Sequence, residues 1–101
     1  MEAIAACDLF SEVQTLNLEH NGIIEKGARA LAKSPVLTKV TSLNLVDNRV
    51  GDEGALAIAN SDTFSKLTYL HLGGNRIKSQ EAKKALHESK KLTQLKKIKV
   101  F

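Results

Sequence analysis

His20, His71, His87 and Cys7 are the residues of this chain best suited to ligate a metal or to act as nucleophile and base. Either role needs two or more such groups within one coordination or hydrogen-bond length of each other. No histidine has a partner at ligand spacing. The pattern below puts His71 two strands from Glu19, about 10 Å away at roughly 4.8 Å per strand, too far for a shared metal or a relay. His20 falls in the same column as Asp47 of the following unit, which reads as a weak surface pair. A lone cysteine can form neither an intrachain disulfide nor a cysteine metal cluster, so Cys7 reads as a small buried or half-buried filler in a reducing compartment. Gly73-Gly74 lies in no G-x-x-x-x-G-K-[ST] context and reads as a strand end where backbones approach closely. The expectation is a protein that is not an enzyme, with no metal and no cofactor.

The elements that would position these residues follow from an internal repeat. A shift of 27 residues superposes Val13, Leu16, Leu18, Asn21 and Ile23 on Val40, Leu43, Leu45, Asn48 and Val50, and then on Leu67, Leu70, Leu72, Asn75 and Ile77. The match continues through Gly27 and Gly54, through Ala28, Ala55 and Ala82, and through Leu31, Ile58 and Ala85. Leu95, Ile98 and Val100 begin a further unit one residue late. Within each unit Leu-x-Leu alternates as a short strand does, and then Ala28, Leu31, Ala32 and their equivalents recur at i, i+3, i+4 as the buried stripe of a helix. Asp52 and Ser79 are expected helix N-caps, and Pro35 and Ser61-Asp62-Thr63 the stops between helix and next strand. One domain is expected over 1–101, with a capping helix at 1–12 (Ile4 and Leu9 inward), repeats at 13–39, 40–66 and 67–94, and a terminal strand at 95–101.

Composition agrees with that reading. A chain of 101 residues, 43% hydrophobic and 26% charged, suits one ordered domain, and no apolar run approaches the roughly 18 residues needed to span a bilayer. A soluble cytoplasmic protein without a cleavable signal is the expectation.

The tandem LxxLxLxxNxI and GAxALA segments resemble the leucine-rich repeat family, specifically its ribonuclease-inhibitor-like subfamily in a short form similar to minimal effector-type repeat proteins of intracellular bacteria. The resemblance implies an α/β solenoid of about four parallel strands on a concave face with helices on the convex face. It also implies that Asn21, Asn48 and Asn75 form a ladder bonding the backbone of the turns. Asparagine carries donors and an acceptor, so replacing Asn48 by leucine should cost about 1 to 3 kcal/mol in orphaned groups. Two positions depart from the pattern. Glu81 stands where Gly27 and Gly54 do, and Ala85 where Leu31 and Ile58 do, which predicts a third helix on a thinner core.

Residues between the leucines point outward and form three columns: Thr15, Ser42, Tyr69 and Lys97; Asn17, Asn44, His71 and Lys99; Glu19, Val46, Gly73 and Phe101. Nothing in the repeat requires Tyr69, Val46 or Phe101 to be outside, and aromatic residues are favoured at interfaces. Four strands make a strip roughly 15 to 20 Å wide and about 10 Å long, well under the ~800 Å² per partner of a standard interface. The strand-to-helix loops with Arg49 and Arg76 must therefore contribute. Asn44, Val46, Tyr69, His71, Arg49, Arg76 and Phe101 are the expected contacts with a protein partner, an enzyme whose cleft this monomer would cover.

Charge is unevenly placed: residues 1–77 carry seven Lys/Arg against nine Asp/Glu, and residues 78–101 eight Lys against two Glu. The basic end reads first as a solvated cap whose lysines protect an open strand edge, next as a contact for an acidic protein. Nucleic acid ranks last, because the segment has no Arg and only Phe101 for stacking. An electrostatic binder of nucleic acid or acidic protein through this end is nevertheless the alternative function.

Overall fold

The computed structural model describes residues 10–100, so the expected capping helix with Ile4, Cys7 and Leu9, and the expected contact Phe101, lie outside the described residues. Four three-residue strands, β1 (Thr15–Asn17), β2 (Ser42–Asn44), β3 (Tyr69–His71) and β4 (Lys97–Lys99), form one parallel sheet in sequence order. The crossovers carry three helices: α1 (Glu25–Ala32), α2 (Gly51–Ala59) and α3 (Gln80–His87). Thr15 lies opposite Ser42, Ser42 opposite Tyr69, and Tyr69 opposite Lys97, so the 27-residue offset holds twice and becomes 28 at the last crossover. The extra residue falls between Leu86 and Ser89, where the other units have one residue between Ala32 and Ser34 or Ala59 and Ser61.

Alternation in the strands buries Leu16, Leu43 and Leu70 at their centres and leaves the flanking residues outward. Leu31 and Ile58, fully buried on their helices, close the core from the other side, and Leu37, Phe64 and Leu92 fill it from the helix-to-strand loops. This last column was missed in the sequence pattern.

Helices α1 and α2 pack closely because Gly54 has no side chain. A Cβ there would lie 2.6 Å from Val50 Cγ1 and 3.2 Å from Ala28 Cβ. On α3 the same position is Glu81, which is exposed, and Ala85 is only half-buried where Leu31 and Ile58 are sealed. Leu86, in the place of Ala32 and Ala59, takes over as the large buried residue, so the filled position has moved one residue along the helix.

One cap is corrected. Ser79 caps α3, its hydroxyl accepting from the Ala82 N–H at 3.2 Å. Asp52 does not cap α2, which starts at Gly51 with no side-chain cap. Its carboxylate instead accepts the N–H groups of Lys78 (2.8 Å) and Ser79 (3.0 Å), one repeat further on. The helix begins one residue before Asp52, at Gly51 in the left-handed region with φ 69°, so Asp52 lies inside the first turn and not at the cap position.

Candidate partner-binding face

Beneath the outward face, asparagine side chains hold the turns together. Asn48, 3% exposed, accepts the Asn21 N–H (3.0 Å) and Ile23 N–H (2.9 Å) on Oδ1 and donates from Nδ2 to the carbonyls of Leu18 and Leu45, both 2.9 Å. Asn75, fully buried, accepts the Val50 N–H at 3.2 Å and donates to Leu45 O at 2.7 Å. Each residue thus completes the turn of the unit before it. Asn21 differs: it is exposed, and its side-chain bond is a donation to Glu19 O at 3.0 Å. It is the turn that Asn48 serves rather than a third buried rung.

Serines do the same work on the opposite side of the solenoid. The hydroxyls of Ser34, Ser61 and Ser89 accept the N–H three residues on, from Leu37, Phe64 and Leu92 respectively. Ser61 and Ser89 also donate to Ala32 O and Ala59 O, the free carbonyls ending the preceding helices. The recurrence of Ser at the repeat spacing was the available signal.

On the face itself the central column has a structural duty. Asn17 Oδ1 accepts the Glu19 N–H (3.1 Å), Asn44 Oδ1 the Val46 N–H (2.9 Å) and His71 Nδ1 the Gly73 N–H (3.1 Å), so all three bend the chain at a strand end. Accepting at Nδ1 puts the neutral ring's proton on Nε2. Burial pushes the His71 pKa below 6.5 and the Lys99 ammonium adds to it, against opposition from the Glu19 and Asp47 carboxylates. The Tyr69 ring stands edge-on to the imidazole, with centroids 6.3 Å apart and planes at 86°.

Beyond the strands the chain turns through left-handed residues at the repeat spacing, His20, Asp47 and Gly74, with φ of 57°, 56° and 71°. A Cβ on Gly74 would strike the Asp47 carboxylate, which explains the second of the two glycines. His20 Nε2 lies 3.2 Å from Asp47 Oδ2, both exposed. Arg49 and Arg76 are exposed on these loops, and Val46 is half-buried beside them. The structure therefore brings Tyr69 and His71 together, places Asn44 and Val46 one strand away, and sets Arg49 and Arg76 along the loop ridge.

A further exposed residue joins that ridge. Ile24 is 53% exposed and its backbone bridges Arg49 in parallel. The Ile23-Ile24 pair was its signal, since only Ile23 falls on a buried repeat position. Among the described residues no group of three His, Cys, Asp or Glu could hold a metal. Shallow depressions lie on the helix side, one lined by Ala32, Ala57, Asn60 and Thr63, and beside β4, lined by Leu86, Leu92 and Ile98.

The leucine-rich repeat profile matches residues 13–32, 36–59 and 65–80, more than half of the chain, with one segment in each of the three units. The chain belongs to the leucine-rich repeat family. No curated protein matches it. Leucine-rich repeat domains generally mediate protein–protein interaction and are typically non-catalytic. In this leucine-rich repeat chain no described helix is long and apolar enough to cross a membrane.

Proposed function

We propose that this chain is a non-catalytic protein-binding module whose contact surface is the strand face together with the strand-to-helix loops. The observation that carries the reading is a division of labour. Asn48, Asn75, Ser61 and Ser89 are consumed in holding repeat to repeat, whereas the side chains of Tyr69, Val46, Ile24, Arg49 and Arg76 make no hydrogen bond among the described residues. Asn44 and the His71 ring serve both the bend and the surface. A half-buried aromatic, two exposed arginines and an exposed isoleucine on a hydrogen-bonded ladder suit a partner's cleft.

The narrower reading is that the chain, in a ribonuclease-inhibitor-like mode, covers the active-site cleft of a partner enzyme in a cytosol, its own or that of a host to which it is delivered. The test is affinity capture with wild type and the Tyr69→Ala/Arg76→Ala pair, followed by an activity assay of what is retained. A single stoichiometric protein lost from the double variant and slowed by wild type supports the reading. Equal capture by both proteins, or nucleic acid shed with salt, moves binding to the Lys-rich end.

A further inference from the structure

From Lys78 onward, among the described residues, two lysines meet a carboxylate and Lys78, Lys83, Lys90, Lys96, Lys97 and Lys99 do not. On the helix side Lys84 approaches Glu88 at 3.9 Å and Lys91 meets Asp62 at 3.0 Å, just as Arg29 meets Glu25 on α1 and Lys39 meets Glu12. On the strand face Lys97 and Lys99 stand in register beside Tyr69 and His71, and among the described residues no carboxylate pairs with them. Lysines on an edge strand discourage sheet-to-sheet association, which accounts for the presence of exposed Lys97 and half-buried Lys99. It does not account for their sharing one face with an aromatic pair.

We propose that β3 and β4 seat an extended acidic segment of a protein partner, one carrying carboxylates at alternate positions. This rests on the reading of the strand face as the contact surface. Same-side residues of an extended chain are about 6.8 Å apart, which is also the spacing of Lys97 and Lys99 along β4. A segment lying along the strands can therefore set successive carboxylates on the two ammonium groups. Its intervening backbone would lie against the Tyr69 and His71 rings, and Arg76 lies past the end of β3 for a third acid. Across the same face the charge reverses: Glu19 follows β1, and the Asp47 carboxylate, held between His20 and Gly74, closes the loop end of the face, so an acidic chain is favoured at β4 and opposed toward β1. A polyanion running across all four strands, such as single-stranded nucleic acid, would meet those carboxylates.

The test uses the full 101-residue chain, isotopically labelled, and a blocked heptapeptide with Glu at alternate positions. Controls are the Gln counterpart and an oligothymidylate. The Glu peptide is expected to shift the resonances of Tyr69, His71, Lys97 and Lys99, and to raise the His71 pKa by offsetting the Lys99 field. Lys97→Gln/Lys99→Gln should weaken it about fivefold, and Lys83→Gln/Lys84→Gln should not, with circular dichroism showing that both variants fold. Equal binding of the Gln peptide overturns the proposal. So do shifts centred on Lys90, Lys91 and Lys96, tighter oligothymidylate binding on the same strands, or no shift at millimolar peptide. If the Glu peptide fails while the Tyr69→Ala/Arg76→Ala pair still loses a captured protein, the acidic seat falls and the broader binding role stands.

Discussion

The second repeat, residues 40–66, and the third, 67–94, share a plan but are held by different means. The second is sealed by volume: Ile58 is fully buried, Gly54 sits in contact range of Val50 and Ala28, and Asn48 bonds on both sides of its turn. The third has Ala85 half-buried and Glu81 in solvent, and only Ala82 and Leu86 of α3 are buried. What it lacks in packing it gains in capping, from Ser79 within the repeat and from Asp52 one repeat earlier. Among the described residues α3 packs against one helix, α2, so terminal hydrogen bonds carry a larger share of its stability.

That contrast can be broken most severely at Asn48. Asn48→Leu leaves the Asn21 and Ile23 N–H groups and the Leu18 and Leu45 carbonyls without their partner, and chemical denaturation should register a loss of about 3 kcal/mol. Gly54→Ala should cost about 2 kcal/mol, since the fully buried Val50 has no room to yield, whereas Glu81→Ala at the matching site of α3 should change little. A smaller effect is expected for Ser79→Ala, about 1 kcal/mol. Hydrogen exchange should show it as lost protection confined to α3, leaving α2 unchanged.

The next test sets His71 against Asn44, which makes the same bend with an amide. Because the folded His71 pKa lies below 6.5, the folded state disfavours the imidazolium. This contribution to stability is present above 6.5 and is lost as pH falls from there through the folded pKa. His71→Asn keeps the acceptor and should flatten the acid limb of stability against pH. The least effect is expected at Asn21→Leu, within about 0.5 kcal/mol, because the residue is exposed and, among the described residues, its side chain bonds its own turn. A loss there equal to that at Asn48 would mean the two positions are equivalent after all.

Much of the scaffold was legible because burial leaves its period in the residue types. Leu16-x-Leu18 and its copies marked the strands, and the 28-residue step to Leu95 marked the final register. The bonds between repeats were harder to foresee. Asp52 at the start of a helix looks like a cap, and only the stacking of units shows that its carboxylate reaches Lys78 and Ser79 instead. Likewise, periodicity shows that Asn21, Asn48 and Asn75 recur but not that the first, with its side chain in solvent, must behave unlike the others. The outward columns were readable from alternation, and Asn17 recurs at Asn44; that His71 makes the same bend was not legible, because there an imidazole nitrogen stands in for the amide oxygen.

The direction of the ladders bears on biosynthesis. Asn48 serves Ile23, Asn75 serves Val50, and Ser89 serves Ala59, separations of 25, 25 and 30 residues, and in each case the later residue supplies the side chain. A polypeptide leaving the ribosome therefore cannot finish either of the first two coils until roughly one more coil has been translated. Maturation would advance as a wave lagging the exit tunnel by a single unit, and a nascent chain arrested before Asn48 would expose the same amides that Asn48→Leu strands in the finished protein.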